Sequence, residues 1–111
     1  MLKHEFGNMQ KNPPKKKRFD SYTPDKYKCI SIDDIYIEPI FIGLQKIDCY
    51  WHTLQRPEKG LAYYGITLIP PQSMSGLIEI LVGENKEEYA PLISLALKAQ
   101  ADEKYIIHFG I

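Results

Sequence analysis

Leu61-Ala62-Tyr63-Tyr64-Gly65-Ile66-Thr67-Leu68-Ile69-Pro70-Pro71-Gln72-Ser73-Met74-Ser75-Gly76-Leu77-Ile78-Glu79-Ile80-Leu81 reads as a strand, a stop and a helix in direct succession. Residues 61–69 are rich in β-branched and aromatic side chains, which pack well on a pleated surface. Pro70 and Pro71 end the strand, because neither has an N–H to give to a ladder. Ser73 stands where a helix N-cap belongs. Met74, Leu77, Ile78, Leu81 and Val82 follow at the spacing of one helical face. Gly83 is placed to close that helix in the left-handed conformation. This unit specifies an ordered domain, and it carries no catalytic, phosphate-binding or metal-binding signature.

Upstream, Ile47 to Leu54 reads as a strand, with Ile47, Cys49, Trp51 and Thr53 on the core side and Asp48, Tyr50, His52 and Leu54 on the other. A polar loop, Gln55 to Gly60, joins it to the strand at Leu61 as a hairpin. Tyr27 to Leu44 is dense in isoleucine, but Pro39 forbids one continuous central strand. Two short extended pieces with a bend are expected there; the alternative is a helical turn over Asp33 to Glu38. Downstream, Tyr89, Leu92, Ile93, Ala96 and Leu97 share a helical face. Pro91 fits if the helix starts near Ala90 behind an irregular or 3₁₀ first turn. Tyr105 to Ile111 is an apolar strand that should pair within the sheet. The fold so predicted is α+β: a small, mostly antiparallel sheet with two helices on one face, in the order strand, strand, strand, helix, helix, strand.

The 111 residues suffice for one domain, and 44% hydrophobic content supplies a core without a disulfide or metal staple. Cys29 and Cys49 lack the spacing of a redox pair or a zinc site and are expected as reduced thiols, at least one of them buried. No apolar run approaches the length of a membrane span, and the start does not read as a signal peptide, so a soluble cytoplasmic protein is expected. The formal net charge of zero hides an asymmetry. Residues 1–28 hold eight basic and three acidic side chains, a net of +5, and residues 29–111 carry −5. Residues 1–26 are expected to be a flexible basic arm, with Lys15, Lys16, Lys17 and Arg18 as its electrostatic centre, and residues 27–111 the single domain. Phe6, Met9, Phe19 and Tyr22 are scattered through the arm and could dock individually. The arm offers contact with nucleic acid, although a basic folded surface with interleaved aromatics is missing from this reading.

Among single residues, His52 is the most informative. It shares the predicted strand face with Asp48 and Tyr50, yet Asp48 is four residues away along a strand, too far for a direct hydrogen bond. His108 could join His52 and Asp48 at a metal only if its strand lay alongside, and the spacing has no metal signature. Asp33, Asp34 and Glu38 suit a loop or cap. Tyr50, Trp51, Tyr63 and Tyr64 fall on strands expected to be neighbours, and exposed sheet aromatics are enriched at interfaces. Asp48, Tyr50, His52 and Tyr63 are therefore the candidate partner-binding residues. No catalytic residue, metal ligand set or cofactor is assigned, and the balance favours a non-enzymatic role.

The string Tyr64-Gly65-Ile66-Thr67-Leu68-Ile69-Pro70-Pro71-Gln72-Ser73, together with Ile106-Ile107-His108-Phe109-Gly110-Ile111, resembles a pattern in small uncharacterised bacterial proteins. Their size and character are similar to those of toxin-immunity proteins. The resemblance implies a small, acidic, cytosolic inhibitor that acts by binding a partner protein; the basic arm departs from that pattern. A protein-binding domain of immunity type is thus the expected function. Acidic groups such as Asp48, Glu58, Glu84, Glu87 and Glu88 would steer a basic partner. A pocket around His52 in a small enzyme or ligand-binding domain is the alternative, and an arm-mediated nucleic-acid binder is a third. Monomer and edge-paired homodimer are both compatible with a short sheet.

Overall fold

The computed structural model describes residues 2–111. Its centre is one six-stranded sheet in which every pairing is antiparallel. The strands are β1 (Lys3–Asn8), β2 (Ile30–Asp33), β3 (Asp48–Trp51), β4 (Pro57–Lys59), β5 (Ile66–Ile69) and β6 (Ile106–Phe109). Their spatial order is β2-β1-β6-β5-β3-β4. The helices are α1 (Asp34–Ile37), α2 (Phe41–Leu44), α3 (Met74–Glu84) and α4 (Ala90–Asp102). A 3₁₀ turn at Glu38–Ile40 links α1 to α2, so the two form one irregular helical stretch. The α+β class and the antiparallel sheet agree with the sequence reading. The number of strands, their order and the third helical body do not.

The largest correction concerns residues 1–26. Met1 lies outside the described residues, but Lys3–Asn8 is no arm: β1 sits inside the sheet, between β2 and β6. His4 pairs with Ile32 on one side, and Phe6 pairs with Ile30 and His108. The boundary expected at residue 27 therefore does not separate a domain from a tail. The cause is compositional. Averaging over a lysine-rich stretch hid a six-residue alternation in which His4 and Phe6 face one way and Glu5 and Gly7 the other.

Residues 9–29 have a structural task as well. Strands β5 and β6 are buried at all four positions each, so both sheet faces must be covered. The helices cover one face, where Phe6, Ile69, Leu77, Leu81, Leu92 and Ile106 share a core. On the other face Met9 and Phe19 pack against Ile66, Leu68, Ile107 and Phe109, with Tyr27 and Cys29 beside them. Asn12 fastens this covering segment: its amide donates to the Glu103 carbonyl at 3.1 Å and its oxygen accepts from the Tyr105 N–H at 3.2 Å. Gly7 lets the segment approach closely, since a Cβ there would lie 2.8 Å from Cys29 Sγ and from Tyr27.

Local rules explain most other differences. After Ile32 the chain turns helical, because the Asp33 side chain accepts from the Ile35 N–H at 3.1 Å and caps α1. The expected strand at Leu61 begins only at Ile66. Along the chain a short strand, β4, intervenes between β3 and β5 and pairs with the outer edge of β3, so β3 and β5 are adjacent but joined by a longer excursion. Pro71 opens a 3₁₀ turn before α3, and the Ser73 hydroxyl donates to the Asp48 carbonyl instead of capping. Helix α3 runs past Gly83 and closes at Asn85, with φ 53°, a conformation asparagine tolerates. Helix α4 begins at Ala90 behind a 3₁₀ turn at Glu87–Tyr89, as Pro91 required. Among the described residues no helix is long and apolar enough to cross a membrane.

Candidate functional site

The helix-side face of the sheet holds a row of polar groups where apolar ones are usual. His4 on β1, His108 on β6 and Thr67 on β5 are all fully buried. Strand pairing places His108 opposite both Phe6 and Thr67, with His4 close by along β1. His4 Nδ1 lies 2.9 Å from His108 Nε2, and His108 Nδ1 lies 3.1 Å from Thr67 Oγ1. The row continues at both ends. His4 Nε2 reaches Asp34 Oδ1 at 2.9 Å, and the Tyr63 hydroxyl donates to the same carboxylate oxygen. Thr67 Oγ1 accepts from the Ala62 N–H at 2.8 Å.

One proton arrangement satisfies every member. Thr67 donates to His108 Nδ1, His108 Nε2–H donates to His4 Nδ1, and His4 Nε2–H donates to Asp34. Buried polar groups are tolerable only when paired in this way. Burial, with the neighbouring His4 adding to it, holds His108 well below the ordinary histidine range, so it is neutral. The Tyr63 hydroxyl and then His4 hold the Asp34 carboxyl below its ordinary value, against the opposing effect of burial. The same carboxylate pushes the Tyr63 phenol up to about 12.

This row differs from a catalytic triad in direction. Here the carboxylate is at the partly open end, 14% exposed, and the imidazoles are sealed inside. No ring nitrogen of the pair is presented to a substrate, as general acid–base catalysis requires. The row therefore acts as a polar rivet. It joins β1, β6 and β5 to α1 and fixes the loop that carries Tyr63.

On the surface above that loop the aromatics are stepped. Phe41 packs edge-on to Tyr63 with ring centroids 5.0 Å apart, Tyr63 meets Tyr64 at 5.0 Å, and His4 meets Tyr63 at 5.1 Å. Tyr64 stands out of this stack and is 80% exposed. It forms a ridge between two hollows. One, of about 480 Å³, is lined by Glu5, Asp20, Tyr22, His52, Tyr64 and Phe109 among others. The second, of about 410 Å³, is lined by Phe41, Trp51, Leu61, Tyr63 and Tyr64 among others. Leu2 and Tyr22, both more than half exposed, extend the apolar rim of the first hollow.

His52 lines the first hollow, but not as the sequence suggested. Strand β3 stops at Trp51, and His52 adopts φ 64°, a left-handed conformation uncommon outside glycine. The ring turns toward the covering segment: Nδ1 lies 2.9 Å from both the Phe19 carbonyl and Asp20 Oδ1. Nε2 faces the Ile66 N–H at 3.4 Å and crowds Gly65, where a Cβ would come within 2.8 Å. His52 is thus a clamp between the segment and β5. Asp20, its partner, is held below the usual carboxylate range chiefly by its hydrogen bond to Arg18, with His52 contributing less.

The four candidate residues do not form one surface. Asp48 pairs with Lys59 at the β3–β4 edge. Tyr50 is half-buried on the sheet face covered by residues 9–29. His52 and Tyr63 flank the Tyr64 ridge from opposite sides. Lys15, Lys16, Lys17 and Arg18 lie on the outer side of the covering segment and are all exposed. Sequence reasoning missed Tyr64 as the outward aromatic, because the predicted strand through Leu61–Ile69 hid the loop at Ala62–Gly65. It also missed Asp20 and Asp34 as the partners of the histidines. Among the described residues no group of three or more His, Cys, Asp or Glu side chains is arranged to hold a metal ion. No protein-family model matches this chain, and neither a curated protein nor a solved structure matches it.

Proposed function

We propose that the chain is a protein-binding domain whose contact face is the Tyr64 ridge with its two flanking hollows. The observation that carries this reading is the rigid presentation of an exposed aromatic. Tyr64 is 80% exposed, yet its ring meets that of Tyr63 edge-on, and Tyr63 is tied through Asp34 into the buried histidine row. Interface anchors are enriched in tyrosine, and a side chain held rigid before binding loses little conformational freedom on association. The flanking hollows would receive the side chains of a partner around that anchor.

The narrower form of the proposal is the immunity-type inhibitor. The resemblance of residues 64–73 and 106–111 supports it, as do three exposed carboxylates, Glu84, Glu87 and Glu88, at the α3–α4 connection. Asp48 and Glu58 support it less, since each is already paired, with Lys59 and Arg56 respectively. The test is capture from a lysate of the source organism with native protein and with Tyr64→Ser. One stoichiometric protein retained by the native chain and lost with Tyr64→Ser is the expected result. Equal retention by both chains, or no retained protein, overturns the assignment of the face.

A further inference from the structure

The covering segment, residues 9–29, carries a concavity on its outer side, separate from the Tyr64 face and floored by side chains whose inner surfaces pack on the sheet core. Its volume is about 400 Å³, within the roughly 300–1,000 Å³ range of small-ligand sites. Its apolar surface comes from Met9, Phe19 and Tyr27, and its cations from Lys11, Lys17 and Lys26; no acidic side chain lines it. The cations are interleaved with the aromatics. Lys17 Nζ sits 5.2 Å from the centre of the Phe19 ring, and Lys26 Nζ 5.7 Å from that of Tyr27.

The surrounding charge is unbalanced as well. Of the basic side chains from Lys11 to Lys28, only Arg18 forms an ion pair among the described residues, with Asp20. Six lysines, at positions 11, 15, 16, 17, 26 and 28, have no carboxylate partner there. Folding has thus converted a basic stretch of sequence into a basic hollow with an aromatic floor. Single-stranded nucleic acid is the ligand class that carries a flat apolar face and a phosphate on every unit.

We propose that this hollow binds one or two nucleotides of a single-stranded nucleic acid, with Lys11, Lys17 and Lys26 on the phosphates and a base against Tyr27. A bilayer would need a protruding basic surface rather than a hollow, which sets an anionic membrane behind nucleic acid. Two to three phosphate contacts on a single strand predict a slope of log affinity against log salt of about −1.4 to −2.1. Affinity should accordingly fall about 7- to 20-fold between 50 and 200 mM salt.

The experiment is fluorescence anisotropy with the full chain and labelled twelve-residue oligo-dT and oligo-U. Inorganic polyphosphate of equal charge and phosphatidylserine vesicles serve as competitors. The expected result is saturable binding of at least one oligonucleotide at 50 mM salt, with polyphosphate of equal charge at least tenfold weaker than unlabelled oligonucleotide as a competitor. The triple variant Lys11→Ser, Lys17→Ser, Lys26→Ser should lose at least tenfold. The control triple Lys46→Ser, Lys98→Ser, Lys104→Ser, which removes the same charge elsewhere, should lose less than threefold. Tyr27→Leu keeps the apolar volume and should weaken the oligonucleotide about fivefold while leaving polyphosphate unchanged. Circular dichroism confirms that each variant is folded. Oligo-dT and oligo-U arms separate DNA from RNA. Absent binding, polyphosphate or vesicles competing as well as the oligonucleotide, or equal losses in the two triples overturns the proposal.

Discussion

His4 Nδ1 and His108 Nε2 lie 2.9 Å apart in the protein interior although 104 residues separate them in the chain. The contact exists because β1 and β6 are neighbours and both rings point to the helix-covered face. It makes β1 part of the core through His4 and Phe6, and it sets how the protein should respond to acid.

In the folded protein His108 is held neutral, well below the usual histidine range, while in the unfolded chain it would titrate near 6.5. Below pH 6.5 the unfolded state therefore binds the extra proton and the folded state does not. Stability is complete above that pH and falls as the solution is acidified, by up to about 1.4 kcal/mol per pH unit for one proton. Asp34 adds a second loss only below about pH 4, because its folded carboxyl is lowered. Thermal melting should thus fall between pH 7 and pH 5. In His108→Gln the melting temperature should start lower and change less over that interval.

Tyr63→Phe removes one donor from Asp34 and leaves the ring stack in place. The expected cost is about 0.5–1.5 kcal/mol by urea unfolding. The Asp34 carboxyl should move up toward its ordinary value, which carbon-detected NMR titration would read.

Gly7→Ala tests the close approach of the covering segment. The added methyl would meet Tyr27 and Cys29 Sγ at 2.8 Å, and the Tyr27 backbone carbonyl cannot swing aside like a side-chain tip. A loss of about 1–3 kcal/mol is expected. Faster amide hydrogen exchange over residues 9–29 should accompany it.

Cys29 and Cys49 are free and sit on opposite faces of the sheet. Burial pushes each thiol up to about 12; the Glu5 and Asp25 carboxylates add to it at Cys29, whereas at Cys49 a Gly60 backbone hydrogen bond opposes it and Asp48 adds less. In native protein at pH 8 a disulfide reagent should react slowly with both, Cys29 before Cys49 because it is less buried. Denaturation should release two thiols per chain; fewer would reveal a disulfide.

Much of the local structure was legible from the residues. The two long helices, the proline stop at Pro70-Pro71 and the 3₁₀ entry forced by Pro91 follow from period and backbone chemistry. So does the core-facing side of Ile47, just before β3, and of Cys49 within it. The site was less legible. A lone histidine in a strand pattern reads the same whether it faces solvent or another histidine. The apolar side chains of residues 6–27 were visible, but the lysines between them set the average composition.

The sequence by itself determined the long helices α3 and α4, the extended segments β3, β5 and β6, and their assembly into an α+β domain, because those preferences act over a few neighbouring residues. Tertiary structure alone decided that Lys3–Asn8 enters the sheet between β2 and β6. It also decided that residues 9–29 cover the second sheet face and that His4 meets His108. It turned His52 out of its strand to clamp the Phe19–Asp20 backbone against Ile66. These outcomes depend on which distant surfaces bury each other. Both faces of β5 and β6 are buried and mostly apolar, and only a layer on each side could remove them from water.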